Sequence, residues 1–143
     1  MKITQISVFL ENRKGRLFEV TQLLGKNGIN IRALNIAETD DFGVLRLVVD
    51  KPKDALAGLK AGGFVASTTE IVAVEVPDNP GGLSEVLGVL SREGLNVEYM
   101  YGFVEKKSEE ALLVFRFEDT EKAVVALEKA GIRIITETEI HNL

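Results

Sequence analysis

Two short turns carry the residue types best suited to holding a small ligand. One is Glu11-Asn12-Arg13-Lys14-Gly15-Arg16-Leu17, the other Pro77-Asp78-Asn79-Pro80-Gly81-Gly82-Leu83. Each runs into a stretch with helical spacing of apolar residues, so its glycine stands at the mouth of a helix. There the first N–H groups lack intrahelical partners and the helix dipole is positive, which suits an anion such as a carboxylate. The glycine lets a ligand approach the backbone closely, although the same residue also serves a tight turn that binds nothing. Asn30 and Asn96 follow Gly28-Ile29 and Gly94-Leu95. An asparagine there can hold an amino or carboxylate group, or simply satisfy backbone groups at the start of a strand.

Catalytic chemistry finds little support. The chain has no cysteine and one histidine, His141, near the end of the sequence, where an exposed residue is expected. Thiol catalysis, disulfide frameworks and zinc ribbons are therefore excluded, and neither a Ser-His nor a Cys-His partnership is on offer. Asp40-Asp41 and Glu109-Glu110 pair carboxylates, but in predicted hairpin turns, where nothing points to the burial that shifts a pKa. Leu24-Gly25-Lys26-Asn27-Gly28 resembles a phosphate loop only briefly, because Val20 occupies the place of the first glycine and the segment ends a helix. No catalytic residue, metal or cofactor is expected. With 17 basic against 22 acidic side chains and a net charge of −5, nucleic acid is a poor partner. No apolar run approaches the roughly 20 residues that span a bilayer. The expectation is a cytoplasmic protein with no membrane contact.

The elements that position these turns occur twice. Displacing the sequence by 66 residues sets Gly15 on Gly81, Leu17 on Leu83, Glu19 on Glu85 and Val20 on Val86. It also sets Leu24 on Leu90, Gly28 on Gly94 and Asn30 on Asn96, seven identities in the sixteen positions from 15 to 30. Upstream, Ile6, Val8 and Leu10 fall on Val72, Val74 and Val76. Downstream the displacement becomes 68, pairing Leu45, Leu47 and Val49 with Leu113, Phe115 and Phe117, and Ala55, Leu59 and Gly63 with Ala123, Leu127 and Gly131. The change is placed in the polar stretch Glu105 to Glu110, where a loop absorbs it. Repeats of residues 1–69 and 70–143 are expected, with Thr68-Thr69-Glu70 as the linker.

Each repeat reads strand, helix, strand, strand, helix, strand. Alternation at Ile6, Val8 and Leu10 is the period of a half-buried strand, and Leu17, Val20, Leu23 and Leu24 form one apolar helical stripe. Asn27-Gly28 stops that helix, and Pro52 opens the next at a first-turn position. The order βαββαβ is the ferredoxin-like arrangement of the α+β class, a four-stranded antiparallel sheet with two helices on one face, and with so short a linker the two units are expected to pack as one rigid body. Phe9, Val48 and Val114 beside Arg46 and Arg116 on the opposite face are too apolar for a fully solvated surface, so a further layer or a second chain is expected to cover them.

The string Asp78-Asn79-Pro80-Gly81-Gly82-Leu83, with Gly94-Leu95-Asn96-Val97 after the helix, resembles the ACT domain, a small βαββαβ module that binds amino acids and regulates biosynthetic enzymes. The pattern recurs in register across nearly the whole chain. The first repeat departs from it at Asn12 and Lys14, where the Asp and the Pro would stand, and its turn is basic. The resemblance implies a non-enzymatic sensor binding a free amino acid at the seam between ACT units. In it the turn of one unit (Asn12, Arg13, Lys14, Gly15, Arg16 and Leu17, or Asp78, Asn79, Pro80, Gly81, Gly82 and Leu83) faces the start of strand two in its neighbour (Asn30 and Ile31, or Asn96 and Val97). It also implies a homodimer and a regulated enzyme or other protein as target. The rival reading is an adaptor for nucleotides or phosphorylated metabolites, or a ferredoxin-like enzyme, using Arg13, Lys14 and Arg16. An RNA-binding pair of the same strand order is disfavoured, since Phe115 and Phe117 read as core and the chain is acidic.

Overall fold

The computed structural model describes residues 2–38, 41–104 and 109–143. The elements are β1 (Ile3–Glu11), α1 (Arg16–Lys26), β2 (Ile31–Glu38), β3 (Phe42–Val49), α2 (Pro52–Ala61) and β4 (Val65–Pro77), then α3 (Gly82–Arg92), β5 (Val97–Gly102), β6 (Glu110–Phe117), α4 (Thr120–Lys129), β7 (Ile134–Ile135) and α5 (Glu137–His141). The chain divides into two compact units, one of Thr4–Thr69 and one of Glu70–Leu143 with the first three residues.

Both units are ferredoxin-like. In the first the strand order is β2-β3-β1-β4, in the second β5-β6-β4-β7. Register follows the repeat: Ile6 lies opposite Leu47 as Val72 lies opposite Phe115, and Val8 opposite Leu45 as Val74 opposite Leu113. These side chains point to the helix face. In the first unit they meet Val20 and Leu24 of α1, Ala55 and Leu59 of α2, and Phe64. In the second, Val86, Leu90, Ala123, Leu127 and Ile134 take the same places. Removing each such side chain from water contributes about 1.5–3 kcal/mol, so the paired apolar positions of the sequence are the core of each unit. Phe115 and Phe117 are buried and stack with ring centroids 5.5 Å apart, as core residues do.

Some expectations change. Thr68-Thr69-Glu70 is no linker, since β4 runs without a break through these residues. The sixth element of the second repeat is a strand of only Ile134–Ile135, and the following residues form α5, which the repeat does not predict. Thr136 caps α5 by accepting from the Glu139 amide while the Glu139 carboxylate returns to the Thr136 amide, so His141 sits in a helix and not in a loose tail. On the outer sheet faces Val48 and Val114 are fully buried, whereas Phe9 remains 50% exposed. Most of the stretch assigned the repeat's change of spacing, and Asp40 of the first carboxylate pair, lie outside the described residues. Among the described residues, no helix is long and apolar enough to cross a membrane.

Candidate functional site

In the first unit backbone hydrogen bonds hold the turn after β1, among them one from the Arg13 amide to the Glu11 carbonyl (2.9 Å). The Asn12 amide donates to the Asp41 carbonyl (3.0 Å) and the Arg16 amide to the Arg13 carbonyl (3.4 Å). Gly15 then adopts φ +88°, the left-handed region, as the N-cap of α1, and no side chain caps the helix. The first-turn amides therefore keep the character of an anion site. Of the three turn cations, two are drawn into local structure. Arg13 pairs with Glu11 at 3.2 Å and Arg16 with Glu19 at 2.7 Å. The Arg16 guanidinium also lies 4.6 Å from the Phe64 ring centroid, a stacked cation–π geometry. A small cavity of about 180 Å³ opens beside the turn, where Asn12, Arg13 and Leu17 meet Ile36, Glu38 and Phe42.

The second turn is built more tightly. Gly81 matches Gly15, with φ +87°, and again α3 has no side-chain cap. The next residue, Gly82, is buried against the end of β4, so that a Cβ there would stand 1.9 Å from the Pro77 carbonyl oxygen. The Gly82 amide donates to the Asn79 carbonyl at 3.0 Å, closing the turn over Pro80. Two adjacent glycines thus do different work: Gly81 supplies a dihedral and Gly82 supplies space. Beside this turn a groove of about 580 Å³ runs along α3, past Ser84 and Gly88 to Arg92, with Ile132 and Arg133 on its other wall. Arg133 is committed to Glu75 (2.8 Å) and to Glu139.

Asn30 and Asn96 stand exposed at the starts of β2 and β5. Their backbones are pinned alike to the segment after the third strand of the unit. The Asn30 amide donates to Asp50 Oδ1 and the Asp50 amide to the Asn30 carbonyl (2.9 and 3.1 Å), while the Glu118 amide donates to the Asn96 carbonyl at 3.2 Å. Asn96 lines a polar groove with Lys2, Glu70, Asp119 and Glu121. Hydrogen bonding to Glu121, then to Glu70, holds the Lys2 ammonium above the ordinary lysine range.

Within one unit these features do not come together. β2 leaves Asn30 and arrives beside the turn only at Glu38, eight strand residues or roughly 26 Å later. In β5, Tyr99 is half-buried and Tyr101 buried, and Phe103 lies just beyond the end of the strand. Phe64 shapes the first turn and carried no signal in the sequence, because it reaches Arg16 only through the fold. Among the described residues, no cluster of three or more His, Asp or Glu side chains is placed to hold a metal ion.

Twin ferredoxin-like units, each presenting an uncapped helix mouth behind a left-handed glycine, define a small regulatory ligand-binding module. The chain belongs to the ACT domain family: it matches the ACT domain pair over residues 1–143. Among solved structures it is similar to protein BT0572 from Bacteroides thetaiotaomicron, at 40% identity and TM-score 0.94, covering 100% of this chain and 98% of that one. The fold is shared with the ligand-free regulatory subunit of aspartate kinase from Thermus thermophilus (20% identity, TM-score 0.63, covering 89% and 91%). It is shared also with aspartate kinase from Clostridium acetobutylicum (18% identity, TM-score 0.52), where the match covers 90% of this chain and 33% of the kinase. No curated protein matches the chain.

Proposed function

We propose that the chain is a non-enzymatic cytoplasmic sensor that binds a free amino acid and passes its presence to another protein, with 1–69 and 70–143 as its two ACT domains. The ligand carboxylate is taken by backbone amides of the turns Asn12–Leu17 and Asp78–Leu83. Its ammonium is taken by Asn30 or Asn96 and the carbonyls around Ile31 or Val97, supplied by a neighbouring ACT unit. The observation that carries this reading is the pair of helix mouths, each opened by a left-handed glycine and left without a side-chain cap. The length of β2 supports a second unit as the source of the asparagine, since turn and asparagine of one unit stand at opposite ends of that strand. The phosphate-adaptor reading is weakened because Arg13 and Arg16 are already paired with carboxylates of their own unit. Binding then acts by population shift, stabilising the arrangement that presents both halves of the site.

The test is a thermal-shift screen against the twenty amino acids, with nucleotides and phosphorylated metabolites alongside. A ligand at 100 times its Kd adds about 2.7 kcal/mol, a shift of several degrees. One amino acid raising the midpoint, with the rise lost in Asn30→Ala or Asn96→Ala at unchanged unliganded stability, is the expected result. A rise with nucleotides alone would replace this reading by the adaptor.

A further inference from the structure

We propose that the groove along α3 is a ligand site apart from the turns, shaped for a small guanidino acid whose guanidinium is held by Glu85 and whose carboxylate is held by Arg92. The first unit shows the mode of binding with one of its own side chains. There the Arg16 guanidinium lies between the Glu19 carboxylate, at 2.7 Å, and the Phe64 ring, 4.6 Å from its centroid. A displacement of 66 residues sets Glu19 on Glu85 and Arg16 on Gly82, and one of 68 sets Phe64 on Ile132. The backbones correspond too. The Glu19 and Glu85 amides donate to the Gly15 and Gly81 carbonyls (2.9 and 3.0 Å), and the Phe64 and Ile132 amides to the Leu59 and Leu127 carbonyls (2.9 and 3.0 Å). The second unit therefore keeps the carboxylate and an apolar wall, and lacks the guanidinium that belongs between them.

The place of that guanidinium is open. In the first unit the corresponding hollow is walled by Arg16, Gln22 and Phe64, and no strand residue lines it. In the second, Gly82, Gly88 and Ile132 stand at those positions, and the groove of about 580 Å³ reaches Glu75 and Pro77 of β4. Pockets of a few hundred Å³ with apolar walls and a few placed polar groups suit small molecules. Among the described residues the side chains of Glu85 and Arg92 have no ion-pair or hydrogen-bond partner, whereas Arg133 of the same groove is held by Glu75 and Glu139. Glu85 and Arg92 lie seven residues apart on one face of α3, about 10.5 Å of rise, with Val89 and Ile132 as walls for an apolar stem. Two free charges of opposite sign at the ends of one groove select a compact zwitterion. A cation at the position of Arg92 does not keep a guanidinium from the carboxylate, since Lys26 stands at the matched place beside Arg16 and Glu19.

The probe is γ-guanidinobutyrate, which carries the guanidinium, stem and carboxylate but no α-ammonium for Asn30 or Asn96 to hold. Titrated into the isotope-labelled full chain, it is expected to move the amide signals of Glu85, Val89 and Ile132 to saturation. Glu85→Gln should weaken binding about tenfold or more, as the loss of a charge-assisted hydrogen bond does. Arg92→Gln should weaken it less, and Asn96→Ala should leave it unchanged. Plain butyrate, without the guanidinium, should produce no saturable shift. Both charge variants alter exposed side chains without partners in their unit, and thermal melting checks that they stay folded. The absence of a saturable shift overturns the proposal, as does an affinity unchanged in Glu85→Gln. Shifts confined to the Gly15 and Gly81 turns overturn it as well, by placing the carboxylate at the helix mouths. The site does not rest on the amino-acid reading: failure of the amino-acid screen would remove the ligand proposed for the turns and leave this groove standing.

Discussion

The two sheet-to-helix turns have the same length and end on glycines of nearly the same φ, 88° and 87°. They differ at the residue that follows. In the first unit it is Arg16, folded back onto Phe64 and Glu19; in the second it is Gly82, pressed so close to the Pro77 carbonyl that no side chain fits. The same backbone path is thus held in one unit by an added side chain and in the other by the absence of one. A basic turn in the sequence is not thereby a basic site in space, because the guanidinium of Arg16 is largely spent on its own unit. What the turns keep in common is the set of helix-mouth amides, and that shared part is the part assigned to the ligand.

Gly82→Ala should break the comparison most severely. The added methyl meets a backbone atom that cannot swing away, so a loss of about 3 kcal/mol is expected, at the upper end for overpacking. Urea denaturation should show it, whereas Arg16→Gly at the matched position should cost far less. Gly15→Ala and Gly81→Ala come next. Neither new Cβ would have an atom within 4 Å, so the cost is that of a left-handed L-residue, about 1–2 kcal/mol in each. Equal losses would sharpen the view that these glycines serve one purpose, and a large inequality would break it. Arg16→Ala should lose about 0.5–1 kcal/mol, the size of a partly exposed cation–π contact with its ion pair. Arg16→Lys should fall between, since lysine keeps the charge and loses the planar stacking.

The repeat made most of the fold legible in advance. Apolar positions matched at displacements of 66 and 68 became matched register and matched cores, because strand pairing and helix stripes follow the two periodicities that a sequence records. Gly15 and Gly81 were legible as turn glycines for the same local reason. The direction of Arg16 was not, because Phe64 is distant in sequence and reaches it only through packing. Nor was the crowding at Gly82, which depends on where the Pro77 carbonyl falls. The start of α5 is legible as well, for Thr136-x-x-Glu139 is a capping box, a local signal of a helix beginning.

The chain contains no tryptophan and only two tyrosines. Both, Tyr99 and Tyr101, belong to β5 in the second unit, one half-buried and the other buried. Near-ultraviolet emission is therefore a spectroscopic label supplied by the sequence itself, and it reports on one half of the molecule alone. Circular dichroism at short wavelength weighs both halves. Following one denaturation with the two signals would separate a single cooperative melting from two successive ones, with no dye attached and no residue altered.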